Sequence, residues 1–79
     1  MPLHLQREID RLKKELLTLC GMVEANVAKA IRALVDREST LAESVIETDR
    51  KIDAKEIEVE EDTLKIIALH QPVAFDLRF

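Results

Sequence analysis

The stretch Val45-Ile-Glu-Thr-Asp-Arg-Lys-Ile-Asp-Ala-Lys-Glu-Ile57 decides how this chain is read. Within it Ile46, Asp49, Asp53 and Ile57 are spaced by three, four and four residues, the repeat of one face of an α-helix. The row opens and closes on isoleucine, which predicts that it faces a partner. Its two inner places hold carboxylates. An apolar seam carrying two Asp one turn apart is costly unless something positive meets them. What meets Asp49 and Asp53 is therefore the central question.

Working outward, the helix containing this stretch runs from about residue 40 to about residue 70. Thr40 followed by Glu43 has the form of a capping box, which predicts the helix start. Gln71-Pro72 predicts its end, because Pro lacks an N–H and restricts the residue before it. One row on this helix is Leu41, Val45, Ile52, Val59 and Ile66; the adjacent row is Ala42, Ile46, Asp49, Asp53, Ile57, Leu64 and Ile67. Upstream, Leu5, Ile9, Leu12, Leu16, Leu19, Val23, Val27, Ala30 and Leu34 step by three or four, with Leu17, Ile31 and Val35 widening the stripe. This predicts a first helix over about residues 3–36, continuous across Gly21, with close approach of a neighbouring helix expected to offset the glycine. Asp10 is placed to pair with Lys14, and Glu8 with Arg11. A third helix is expected to start at about residue 72.

The connection between the two long helices is short, so they should be antiparallel neighbours. The fold class is all-α: an antiparallel two-helix hairpin, with residues 1–79 forming part of a larger helical bundle. Both helices carry wider apolar stripes than one partner can cover. The chain is therefore expected to be a fragment, or to assemble with a second copy of itself.

Composition narrows the function classes. Apolar residues make up 47% of the 79, so a core can form, and one Gly and two Pro favour long helices. Both signs of charge are mixed and the net charge is -4, which argues against nucleic acid as the main partner. Cys20 is the single cysteine, so an internal disulfide is excluded, and a reducing cytosol fits. No apolar run approaches the roughly 18 residues of a membrane span. There is no Gly-rich phosphate loop, zinc-type Cys/His spacing, EF-hand pattern or nucleophile with an obvious base, so no catalytic residues are assigned. Cys20 reads as a packed thiol on or beside the core stripe. His70 suits a capping or cationic role at a helix C-terminus, and His4 reads as solvated.

Asp49 and Asp53 stand about 6 Å apart on one face and can jointly hold a hard or borderline cation. The competing reading is a gap in the seam answered by Arg or Lys of the first helix. With the turn centred near residue 38, Asp49 lies level with Val27, and Asp53 with Val23 and Glu24. Those positions are apolar or acidic, and Lys29 is the nearest cation. Glu24 is a candidate additional ligand. The acidic run Glu56, Glu58, Glu60, Glu61 and Asp62 should lie near Arg7, Arg11, Lys13 and Lys14, a solvated face whose opposite charges help set register.

Four segments carry a resemblance to a known family: Arg7-Glu-Ile-Asp-Arg-Leu12, Gly21-Met-Val-Glu24, Ser44-Val-Ile-Glu-Thr-Asp-Arg-Lys-Ile-Asp53 and Gln71-Pro-Val-Ala-Phe-Asp-Leu-Arg78. In order and without gaps, the chain resembles the N-terminal portion of the PhoU family. The resemblance implies an all-α protein of tandem three-helix bundles. It implies a cytoplasmic negative regulator of phosphate transport and phosphate-regulon signalling, with no enzymatic activity. The implied partners are the phosphate ABC transporter ATPase and a phosphate sensor histidine kinase, beside the homodimer expected from the uncovered apolar stripes. It further implies divalent or iron/zinc-type metal ions bound through acidic motifs that Asp49 and Asp53 fit, with the partner motif on a third helix beyond Phe79, so the site is expected to be incomplete in this chain. Cys20 departs from the family pattern, where a second small residue beside Gly21 is expected. The alternative is a generic antiparallel coiled-coil dimerisation module in which the Asp pair only sets register.

Overall fold

The computed structural model describes residues 3–70. It consists of α1 (Leu3–Asp36) and α2 (Ser39–Leu69), packed antiparallel in a hairpin whose longest dimension is 54 Å. The expected third helix from about residue 72 lies outside the described residues.

The turn is built by the backbone. Arg37 adopts a left-handed conformation with φ 53°. Its successor Glu38 donates its N–H to the Ala33 carbonyl at 3.1 Å, the six-to-one closure of a Schellman motif. Glu38 then serves as the N-cap of α2 through its backbone alone: its carbonyl accepts from Ala42 N–H at 3.1 Å, and its side chain makes no cap bond. The capping box expected at Thr40 and Glu43 is therefore corrected. Both residues lie inside α2, Thr40 at its second position and Glu43 at its fifth, because the left-handed Arg37 turns the chain before Thr40 is reached.

The helix-helix seam follows a strict alternation of three- and four-residue steps. On α1 the seam runs through Leu5, Glu8, Leu12, Glu15, Leu19, Met22, Asn26, Lys29 and Ala33, and on α2 through Leu41, Val45, Thr48, Ile52, Lys55, Val59, Asp62 and Ile66; Ile9, Ala30 and Thr63 are half-buried beside it. This is the heptad spacing of a coiled coil. The two lines of the seam differ. Every seventh residue from Leu5 and from Val45 is apolar, apart from Asn26. The intervening line is mostly polar, holding Glu8, Glu15 and Lys29 on α1 and Thr48, Lys55 and Asp62 on α2. The buried apolar core is accordingly small: Leu5, Leu19, Ala33, Ile52 and Val59.

On α2 the row from Leu41 to Ile66 meets α1 as expected. On α1 the expected stripe is corrected. Leu16, Val23, Val27 and Leu34 are exposed, and the seam runs instead through Asn26 and Ala33. The second helix seats on one edge of the α1 apolar arc rather than on its centre. Seating on the centre would place the acidic row of α2 beneath aliphatic side chains, at the cost of desolvating carboxylates without a partner. Seating on the edge leaves that row open.

Several local expectations are also revised. Cys20 is exposed rather than packed. A Cβ at Gly21 would meet nothing within 4 Å, so no neighbouring helix among the described residues approaches it. Asp10 accepts from Gln6 Nε2 at 3.0 Å rather than pairing with Lys14, and Arg11 turns to Glu15 at 3.6 Å rather than to Glu8. Among the described residues no Arg or Lys pairs with a carboxylate across the seam within 4.0 Å. The polar links that cross it are Asn26 to Val45, Lys29 to Ser44 and Thr48, and Glu8 to His70. Of the expected proximity of the acidic run to the basic residues of α1, Asp62 does line one small pocket with Arg11, without a direct ion pair.

Candidate functional site: an acidic row beside an apolar groove

The row that opens the sequence reading lies on the side of α2 turned away from the polar line of the seam. Ile46 and Ile57 are 58% and 57% exposed, and Asp49 and Asp53 are exposed between them. This row does not face α1, because the neighbouring row of Val45, Ile52 and Val59 takes that place. Beside it, α1 exposes Leu16, Val23, Val27, Ile31 and Leu34, and α2 adds Leu64 and Ile67. Together they form a continuous apolar side of the hairpin, larger than scattered surface apolar residues require.

A groove of about 280 Å³ runs between the helices on this side. One wall is Val23, Asn26, Val27 and Ala30 of α1; the other includes Asp49 and Glu56 of α2. Asp49 shares this groove with Val27, the residue expected level with it, and with Val23, which was expected level with Asp53. Asp53, one turn on, lies outside the groove lining. Among the described residues neither Arg nor Lys lines the groove. Lys29, the cation nearest in register, is committed to the opposite edge. Its Nζ donates to Ser44 Oγ at 2.9 Å and to Thr48 Oγ1 at 3.3 Å. The salt-bridge reading of the Asp pair therefore finds no donor on α1.

Glu24 is exposed on α1, and among the described residues no three His, Cys, Asp or Glu side chains converge as a cation-binding group. Glu24 is thus not gathered with Asp49 and Asp53. The chemistry of the donor set says how far these residues suit a metal. Two ionised carboxylates one turn apart supply anionic oxygens, whereas a hard cation takes about six or more. The pair fits one side of a coordination shell, and the remaining donors must come from outside this hairpin.

Two features were missed by the sequence reading. Asn26 is buried in the seam, and its signal was its place seven residues after Leu19 and seven before Ala33. Glu8 pairs with His70 across the hairpin at 3.2 Å, while His4, whose Nε2 stands 2.9 Å from the other Glu8 oxygen, is itself exposed as expected. No local spacing points to a contact between residues 62 positions apart. Among the described residues no helix is long and apolar enough to cross a membrane.

Residues 16–79 match the family model described as the PhoU domain. The chain is 38% identical over 71 residues to the phosphate-specific transport system accessory protein PhoU of Escherichia coli (strain K12), covering 90% of this chain and 30% of that protein. It is 39% identical to the homologue from Pseudomonas aeruginosa, covering 90% of this chain and 29% of the homologue. For the Caulobacter vibrioides homologue the figures are 37%, 90% and 31%. The chain thus spans less than a third of the length of these curated relatives. No solved structure matches it. With a PhoU domain matched over most of its length, the chain belongs to the PhoU family.

Proposed function

We propose that this chain is part of an accessory regulator of phosphate transport and phosphate-regulon signalling that works by binding proteins and not by catalysis. The observation that carries this reading is the PhoU domain over residues 16–79, together with relatives named as accessory proteins of a phosphate-specific transport system. In this reading the protein acts in the cytoplasm. Its partners are the ATPase of the phosphate ABC transporter, the phosphate sensor histidine kinase and a second copy of itself. The exposed apolar side of the hairpin supports an unmet packing requirement, to be filled by further helix or by another copy.

Asp49 and Asp53 would hold a divalent or iron/zinc-type metal ion, with the remaining ligands supplied from beyond this hairpin. When bound, such an ion would neutralise the acidic row and tie α2 to whatever covers the groove. Among the described residues no Arg or Lys lines the groove, which favours a cation from solution over an internal salt bridge.

The test is a pull-down against the transporter ATPase and the sensor kinase, with the longer relative from Escherichia coli as the positive control. Capture of either by this chain supports the reading; capture by the control alone defeats it for this chain. The strict three-and-four spacing of the seam favours a second reading, a coiled-coil dimerisation module without a metal role. That reading predicts self-association that is unchanged when Asp49 and Asp53 are replaced by Asn.

A further inference from the structure

The exposed apolar side of the hairpin has the same pattern in both directions. On α1 it carries Leu16, Val23, Val27 and Leu34, which lie nine and two residues before residue 25 and two and nine residues after it. On α2 Asp49 and Asp53 lie two residues either side of residue 51, and Ile46 and Ile57 flank them at five and six residues from it. The groove between the helices holds Val23 and Val27 together with Asp49 and Ile52, so the two midpoints fall at one level. A surface arranged in this way matches itself after a half-turn. That is the condition for an isologous contact between two copies of one chain.

We propose that this side docks a second copy of the chain about a two-fold axis at the level of residues 25 and 51, with Arg50 of each copy answering Asp49 and Asp53 of the other. In that packing α1 lies antiparallel to α1 of the second copy, and α2 to its α2, as a four-helix bundle. Leu16 comes level with Leu34 of the second copy, and Val23 with its Val27. Ile46 comes within one residue of its Ile57. The same half-turn carries Arg50 to the level of Ile52, between Asp49 and Asp53. Arg50 is exposed on the row Ile46, Arg50, Asp53 and Ile57, and among the described residues it takes part in no ion pair. It supplies the positive charge that the groove lining lacks.

The size of the surface fits a second copy. From Leu16 to Leu34 the stripe runs about 27 Å at 1.5 Å per residue. Across a hairpin 20 Å wide that is on the order of 500 Å² per copy, and the roughly 1,000 Å² of two copies is where specific interfaces begin. Residues 71–79 follow α2 at the open end, where His70 meets Glu8. Nine residues of helix would span only about 14 Å, too little to reach Val23, Val27 or Leu34. The inference rests on the second copy proposed above as a partner. It does not rest on the metal ion or the transporter, so either of those can fail without it.

The test is disulfide trapping of the whole chain with a chelator present. In Ala30→Cys the new thiol comes level with Cys20 of the second copy. Mild oxidation should link the copies about fivefold faster than in the unaltered chain, whose two Cys20 lie about 15 Å apart along the bundle. Ala30→Cys combined with Cys20→Ser should lose the advantage for the same reason. Charge supplies a second measurement, by sedimentation equilibrium in the same buffer. Arg50→Glu alone and Asp49→Lys/Asp53→Lys alone should each weaken association about tenfold, and an equal mixture of the two should recover it, because an acidic row then meets a basic one. No trapping advantage, or a mixture that associates no more tightly than its components, would overturn the proposal. So would association that appears only on adding zinc or magnesium and ignores Arg50→Glu, which would give the acidic row to a metal ion. A helical monomer throughout would overturn it too, leaving this side to a further helix. If Ala30→Cys loses helicity, the charge-paired mixture decides alone.

Discussion

Asn26 on α1 donates its side-chain amide hydrogen to the main-chain carbonyl of Val45 on α2 at 3.2 Å, from a position only 7% exposed. The same carbonyl belongs to the helical ladder of α2, so one backbone oxygen serves both its own helix and its neighbour. The Oδ1 of Asn26 is buried and has no partner among the described residues. A polar residue in an otherwise apolar line costs stability and selects one alignment of the two helices, as a single buried Asn does in coiled coils.

Asn26→Leu should therefore stabilise the hairpin by about 1–2 kcal/mol while loosening its register. Urea denaturation followed by circular dichroism measures the first effect. A lower midpoint would mean that the bond to Val45 outweighs the unmet Oδ1. Amide spectra measure the second, through duplicated resonances for residues near Val45.

Gly21→Ala should stabilise α1 by about 1 kcal/mol, since glycine in a helix interior is disfavoured by that amount. The added methyl would meet nothing within 4 Å. Thermal unfolding of the two forms is the check. A loss of stability in an assembled species, with a gain in the monomer, would locate a partner helix against Gly21.

Arg37→Gly addresses the turn. The left-handed conformation at φ 53° costs a residue with a Cβ about 1 kcal/mol and costs glycine almost nothing. The substitution should raise stability by about 0.5–1 kcal/mol, after allowing for glycine's freedom in the unfolded chain. An unchanged or lower melting temperature in both low and high salt would show that the Arg37 side chain contributes something its backbone does not reveal.

Asp49→Asn/Asp53→Asn should abolish binding of a divalent cation measured by calorimetry or by elemental analysis of the purified chain. Glu24→Gln should change it little, because Glu24 does not join the pair in a common group. If the double substitution leaves bound metal unchanged, the proposed ligands are wrong. If Glu24→Gln removes it, the hairpin must rearrange on binding.

Self-association follows from the exposed apolar side. Sedimentation equilibrium at micromolar concentration should give a mass above that of the 9.0 kDa monomer. Replacing Val27 and Ile46, which are 54% and 58% exposed, with Ser should lower that mass without reducing helicity. A helical monomer at all concentrations would count against a second copy as the covering partner.

Hydrophobic spacing alone determined the class of this fold. Nothing but long helices accommodates apolar residues recurring at three and four positions with a single glycine, and the Leu41-to-Ile66 row identified the face of α2 that meets α1. The unusual standing of Asp49 and Asp53 was equally legible, because two carboxylates in an apolar row are visible without coordinates. Tertiary packing decided which edge of α1's wide apolar arc is covered. Periodicity marks an arc of roughly 100° or more but does not say where within it one partner will sit. Packing also decided that Lys29 turns to Ser44 and Thr48 and away from the acidic row, that Asn26 rather than Val27 enters the seam, and that His70 returns to Glu8 across 62 residues. Each of these depends on the rotation of one helix about its axis relative to the other. That rotation is set by the sum of burial and desolvation over the whole interface, a quantity that no local stretch of the chain contains.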